Sequence, residues 1–130
     1  IDILKELRTK QLLFVHNTYS KKQDIFDNYY YCTCPKANLY IENKLPDYSI
    51  FNLERLCVGT DSLASNNSLS IWDELLVIKK HTNFDTQTLL KIGCKNGAEA
   101  LGFKDLGTFE KGKKPGVNLI RKTNKIEVIA

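Results

Sequence analysis

The sequence predicts an α/β domain with parallel strands, and three observations carry that prediction. Short apolar runs recur at residues 11–16, 29–34 and 55–59, as strands of a core sheet do. Between and after them lie stretches with helix caps or helical spacing, and strands that alternate with helices pair side by side through right-handed crossovers. Beyond residue 104 the pattern changes to strand-like runs punctuated by Gly, Lys and Pro, which predicts a small antiparallel element outside the alternation.

The elements follow in order. Residues 2–9 carry Ile3, Leu4 and Leu7 among charges, the end of a helix at helical period. The run 11–16 is continuously apolar and closes on His16, as expected of a strand covered on both faces. Ser20 and Gln23 have the spacing of a capping box, predicting a helix to about Asn28. An aromatic strand at 29–34 is stopped by Pro35, and residues 36–43 read as a long loop of the kind that often carries function. Residues 46–52 suit a short helix. The third strand, 55–59, leads into Gly59-Thr60-Asp61-Ser62-Leu63-Ala64-Ser65-Asn66.

Ser70, with Asp73 three residues on, then caps a helix whose apolar side is Ile71, Trp72, Leu75, Leu76 and Ile78, with Trp72 read as packing. Asp85 or Thr86 starts a further helix carrying Leu89, Leu90, Ile92, Cys94, Ala98 and Leu101, and Gly102 ends it. Runs at 106–111, 117–120 and 125–129 read as short strands, with Thr123-Asn124 as a tight turn.

Composition excludes several classes of function. The net charge of +4 is spread along the chain, and Lys21-Lys22, Lys79-Lys80 and Lys113-Lys114 are short clusters with few aromatic neighbours. A nucleic-acid groove needs a denser basic stripe, so no nucleic-acid partner is expected. Cys32-Thr33-Cys34 lacks the second pair or spaced histidine of a zinc site. With Cys57 and Cys94 these residues are expected to be free structural thiols, placing the protein in the cytoplasm. No apolar run approaches the length of a membrane span and no signal peptide is visible, so no membrane partner is expected. The chain opens on Ile1 inside a helical pattern and contains no methionine, so it is expected to be a piece of a longer protein.

The candidate chemistry lies at strand ends. In parallel α/β proteins ligands bind at the carboxyl ends of the strands. His16 closes the first strand and Asp61 the third, so the two could face one pocket and hold a metal or shuttle protons around a metal-bound water. The alternatives at this stage are a turn aspartate bonded to its own loop and a hydrogen-bonded core histidine.

Five segments together resemble a known family. They are Val15-His16-Asn17, Cys34-Pro35-Lys36-Ala37-Asn38-Leu39, Gly59 through Asn66, Asn96-Gly97-Ala98-Glu99-Ala100-Leu101-Gly102, and Gly107-Thr108-Phe109-Glu110-Lys111-Gly112-Lys113. In this order they are similar to the carboxyl-terminal half of the amidohydrolase superfamily, in its chlorohydrolase and aminohydrolase branch. That branch includes deaminases of adenosine-type compounds, guanine and triazines. The resemblance implies a metal-dependent (β/α)8 barrel fused to a small β-sandwich. Residues 1–104 would be a partial barrel, about strands six to eight, carrying His16 and Asp61; residues 105–130 would be returning strands of the sandwich.

The resemblance also implies roles. Asp61, closing the eighth strand, would bind the metal and manage the proton of the hydrolytic water. His16, closing the sixth, would lie beside that water and stabilise charge developing on the substrate ring. Asn38 and Ser62 are the candidate substrate-binding residues. The metal would be divalent, zinc foremost, with iron or manganese as alternatives. The reaction would be hydrolytic deamination of a purine-like heterocyclic small molecule by metal-bound hydroxide. The branch takes its other ligands from a His-x-His pair and a further strand-end histidine, which this sequence lacks, and His81 is read as surface. The chain alone is therefore expected to hold no catalytic metal and to be inactive. Other expectations within reach are a chlorohydrolase of the same fold, or a non-catalytic interaction module that retains the half-barrel. Lys114-Pro115-Gly116-Val117-Asn118 departs from the Ala-Asp-Leu pattern usual after the lysine. Exposed edges at strands 11–16 and 55–59 would favour self-association or a homo-oligomer.

Overall fold

The computed structural model describes residues 11–121 and 125–129, so the helix expected over residues 2–9 and the Thr123-Asn124 turn lie outside the described residues. Strands β1 (Leu13–Val15), β2 (Tyr30–Thr33) and β3 (Leu56–Val58) form one sheet in the order β1-β2-β3. Both pairings are parallel, with Phe14 opposite Tyr31 and Tyr31 opposite Leu56. The three strands therefore end along one edge of the sheet, where His16, Cys34 and Gly59 follow them.

The period of two sorts the strand residues. Phe14, Tyr31 and Leu56 make one row across the sheet, and against it pack Tyr48, Phe51, Leu75, Ile78, Leu89 and Ile92. The Phe14 and Tyr31 rings stack at 5.4 Å between centroids. Each fully buried aliphatic side chain here contributes about 1.5–3 kcal/mol. The opposite row carries Val15, Cys32 and Cys57. The expectation that the first strand is covered on both faces is corrected, because Val15, on the row turned away from the helices, is 49% exposed.

Helix α1 (Pro35–Glu42) replaces the loop expected at 36–43. Pro35 occupies the start of the helix, where its missing N–H costs nothing and its fixed φ suits helical backbone. Asn43 ends the helix in left-handed conformation at φ 48. The helix expected from Ser20 to about Asn28 is a single 3₁₀ turn, Lys22–Asp24. Its cap lies one residue later than predicted, with Lys21 N–H donating to Asp24 Oδ2 at 2.9 Å. The chain then extends at Ile25, which packs on the core, while Phe26 N–H donates to Tyr31 Oη at 2.8 Å, and these contacts outweigh helix propagation. Residues 46–52 yield a 3₁₀ turn, Tyr48–Ile50, capped by Asp47.

Helix α2 (Ile71–His81) starts where predicted, with Ser70 Oγ accepting from Asp73 N–H at 3.2 Å. Its buried face is Glu74, Leu75 and Ile78, and Trp72 packs against the core as expected. Asp85 caps α3 (Thr86–Leu90), which runs on through a π-helical turn (Lys91–Lys95) into α4 (Asn96–Ala100). Gly102, at φ +76, follows the end of the helix. The π turn seats Gly93 against Leu75, where an added Cβ would come within 2.7 Å of Leu75 Cδ1. It also aims Asn96 Nδ2 at the carbonyls of Leu53 and Leu56, at 2.7 and 2.6 Å. In the tail, β4 (Asn118–Ile120) and β5 (Ile126–Val128) pair antiparallel. Residues 106–111 form turns rather than the expected strand: Gly107 and Gly112 take φ of +88 and +92, and the left-handed backbone breaks the extended run.

Candidate active site

Two strand ends meet at this site, and both leave ordinary backbone geometry to do so. His16 (φ 69), Asn17 (φ 58) and Asp61 (φ 57) all lie in the left-handed region. Non-glycine residues there carry roughly 1–3 kcal/mol of strain each, although His, Asn and Asp tolerate the region better than most. Local bonds hold the first turn: His16 N–H donates to Cys32 O at 2.8 Å, and Asn17 Nδ2 donates to Phe14 O at 2.9 Å.

The imidazole of His16 is oriented by Asn38, a residue on α1 that is 1% exposed. His16 Nδ1 lies 2.7 Å from Asn38 Oδ1, and Asn38 Nδ2 donates to the His16 carbonyl at 3.4 Å. A carbonyl only accepts, so the amide nitrogen must be on that side and its oxygen must face the ring. Nδ1 therefore carries the hydrogen, and in the neutral ring Nε2 presents a lone pair. That lone pair faces Asp61 Oδ2 across 3.9 Å. Two acceptors opposed at this distance leave a place for a proton donor or a cation between them. Both side chains reach solvent, at 41% and 31% exposure.

Asp61 is held by its own turn. Its Oδ1 accepts from Ser62 N–H at 2.8 Å and its Oδ2 from Ser65 Oγ at 2.7 Å. The Ser65 hydroxyl first, then the Ser62 amide and the nearby His16, keep the carboxyl below the usual carboxylate range, so it is ionised at neutral pH. The Ser62 hydroxyl accepts from Ala64 N–H at 3.3 Å, within the turn. Below the strand ends lie Cys32, Cys34 and Cys57, all free thiols. The hydrogen bond with Cys32 and burial push the Cys34 thiol far up, which keeps it protonated. Gly59 leaves room for them, since a Cβ there would sit 3.1 Å from Cys32 Sγ.

Sequence reasoning missed Glu74. Its side chain is fully buried, and burial raises its carboxyl above the usual range. Oε2 accepts from Lys36 N–H at 2.8 Å and Oε1 from Asn66 Nδ2 at 2.6 Å. The signal was available: a glutamate at position 74 falls inside the apolar stripe of Ile71, Leu75 and Ile78, where a charge is rare unless it is paired. A cleft of about 450 Å³ lies beside the site, walled by Leu39, Tyr40, Leu63 and Ala64 and shared with it through Ser65.

Of the expected site residues, the structure brings His16, Asn38 and Asp61 together, and Ser62 joins them through its backbone. The donor set suits a divalent metal in part, because an ionised, solvent-reaching carboxylate is a suitable ligand. Among the described residues no three His, Cys, Asp or Glu side chains converge to hold one. Also among the described residues, no helix is long and apolar enough to cross a membrane.

A mixed α/β fold of this kind recurs in a solved deaminase. An adenosine deaminase from Xanthomonas campestris with bound zinc matches it at a TM-score of 0.66 and 31% identity, over 78% of this chain and 27% of that one. The model of the amidohydrolase family matches residues 2–129, and the chain belongs to that family. It is 29% identical to an aminodeoxyfutalosine deaminase from Nitratiruptor, over 92% of this chain and 31% of that protein. It is 33% identical to a 5-methylthioadenosine/S-adenosylhomocysteine deaminase from Halalkalibacterium halodurans, over 62% of this chain and 20% of that protein. The chain thus spans between a fifth and a third of the length of these relatives.

Proposed function

We propose that this chain is the carboxyl-terminal part of a metal-dependent hydrolase that removes an amino group from a purine-like heterocycle. In this reading β1, β2 and β3 correspond to about strands six to eight of a (β/α)8 barrel, and residues 105–130 belong to a small sandwich. The observation that carries it is the approach of His16 Nε2 to Asp61 Oδ2, 3.9 Å apart at the ends of two strands separated by β2. The names of the relatives support the same chemistry.

Asp61 would serve as one ligand of a divalent metal, zinc foremost, with the remaining ligands supplied from outside the described residues. The metal, when bound, provides a water acidified to a pKa of about 7. Asp61 would accept a proton from that water and pass it to the exocyclic amino group, which would depart as ammonia. One C–N bond breaks, one C–O bond forms and one water is consumed. His16, its Nδ1 fixed on Asn38, keeps Nε2 directed at this place and stabilises charge developing on the ring. Asn38 and Ser62 shape the pocket from α1 and from the Asp61 turn.

The test is ammonia release by the full-length protein, loaded with zinc, from adenosine-type nucleosides. Turnover that disappears in Asp61→Asn is the expected result. Chloride release from chlorinated rings without deamination would replace this reading with a chlorohydrolase. No turnover of either substrate class would favour an interaction module. The chain on its own is expected to bind zinc weakly and to release no ammonia.

A further inference from the structure

Glu74 is a fully buried carboxylate, and among the described residues no ion pair reaches it. The nearby Lys36 ammonium donates to Ser68 Oγ at 2.9 Å instead. Burying such a group is costly unless its oxygens are hydrogen-bonded. Its two bonds reach two separate parts of the molecule.

The first part is α1. The Lys36 N–H that Glu74 accepts belongs to the first turn of the helix, where amides lack intrahelical partners. Cys34, at the cap position, makes no side-chain cap bond. Glu74 reaches across from α2 and caps α1 in its place. The helix so docked carries Asn38, and Asn38 orients His16. The second part is the turn after β3. Asn66 Nδ2 donates both to Glu74 and, at 2.8 Å, to the carbonyl of Thr60, the residue before Asp61. Ser65, next to Asn66, donates to Asp61 Oδ2.

We infer that Glu74 is a positioning residue, one buried anchor that sets His16, through α1, against Asp61, through Asn66. A residue needed only to fill the core would require neither bond. Both partners are donors, and each meets a different oxygen of Glu74. In the same pose glutamine turns an NH2 group toward one of these donors, so Glu74→Gln is expected to release one of the two parts while conserving shape.

The kinetic arm of the test rests on the deaminase reading; the spectroscopic arm does not. In the full-length protein Glu74→Gln is compared with Ile78→Val, a change one turn along the same buried face that removes a methylene but no hydrogen bond. Melting temperature, kcat, KM and the histidine side-chain ¹H–¹⁵N spectrum are measured, with the His16 resonance assigned by its loss in His16→Asn. Glu74→Gln is expected to lower kcat by about 10- to 100-fold, the scale of a small misplacement of reacting groups. KM should stay within about threefold, and the His16 resonance should shift. Ile78→Val should change neither kcat nor the resonance at a comparable loss of melting temperature. Equal effects of the two variants, or an unmoved resonance with unchanged kcat in Glu74→Gln, would overturn the inference. If the unmodified protein turns over no ring amine, the activity reading fails and the spectra alone decide. A His16 shift in Glu74→Gln but not in Ile78→Val then supports the anchor, and its absence refutes it. Should Glu74→Gln not fold, Glu74→Asp, too short to meet both donors, is judged by the same readouts.

Discussion

His16 and Asp61 occupy equivalent places, each after a parallel strand, each in left-handed backbone, each reaching solvent, yet they are held by different means. Asp61 is fixed by its own turn, through Ser62 and Ser65. His16 is fixed by Asn38, twenty-two residues away on a helix docked against another helix. The carboxylate has two supports within four residues, so losing one leaves the other. Among the described residues the imidazole has one side-chain hydrogen-bond partner, Asn38, which depends on the packing of α1. The Asp61 side of the site is thus robust and local, and the His16 side is fragile and tertiary.

Substitutions in the full-length protein test this contrast, in descending order of expected effect. Asp61→Asn removes the proposed ligand and proton carrier together and should lower kcat/KM by about 10³-fold or more, with reduced metal content by elemental analysis. His16→Asn should cost about 10²- to 10³-fold in kcat, with metal content retained, because in the proposed reaction the ring acts on developing charge. Asn38→Ala should lower kcat by about 10- to 100-fold through a freely rotating imidazole. It should also cost about 1–3 kcal/mol of stability in denaturant titration, as a buried network loses its centre. Ser65→Ala should change kcat by only a few-fold, because the Ser62 amide still holds Asp61. If Ser65→Ala proved more damaging than Asn38→Ala, the contrast between the two strand ends would be wrong.

Ser65→Ala also has a signature in pH. Asp61 titrates below its unfolded value of about 3.9, so the folded state binds its proton less readily than the unfolded one. Its contribution to stability is therefore present above that value and lost as pH falls through the lower folded value. Without the Ser65 hydroxyl that contribution shrinks, and thermal melts between pH 6 and 2 should show a shallower acid loss than in the unmodified protein.

The contrast also explains what could be read from the sequence. Three apolar runs were enough for three parallel strands, and strand-end logic was enough to bring His16 toward Asp61. The Asp61 turn was legible because its supports, Ser62 and Ser65, lie in the same short stretch. Helix α1 was not, because a segment that follows a strand, opens with proline and ends in Glu42-Asn43 has the look of a loop. Proline at a helix start is nonetheless favourable, and Ala37 and Leu39 suit the helix it opens. Missing α1 meant missing how Asn38 reaches His16. The Ser20–Gln23 box misled for the opposite reason: the local signal was good, but Ile25 and Phe26 gain more from the core than from another helical turn. The left-handed backbone at His16 could not be foreseen from residue type alone.

The π turn at Lys91–Lys95 makes chain length itself a form of information. One residue fewer there would let the segment from Thr86 to Ala100 close as a regular helix with better internal bonding. Each residue of such a helix turns the next by about 100°. The deletion would therefore swing Asn96 away from the Leu53 and Leu56 carbonyls that it now bridges. Ala98, Gly102 and the turns beyond would rotate with it. Beyond Ile92 and Gly93, which the core constrains, the five residues act as a spacer that keeps two ends of the molecule in phase, so the stretch is more sensitive to a change in count than to most replacements.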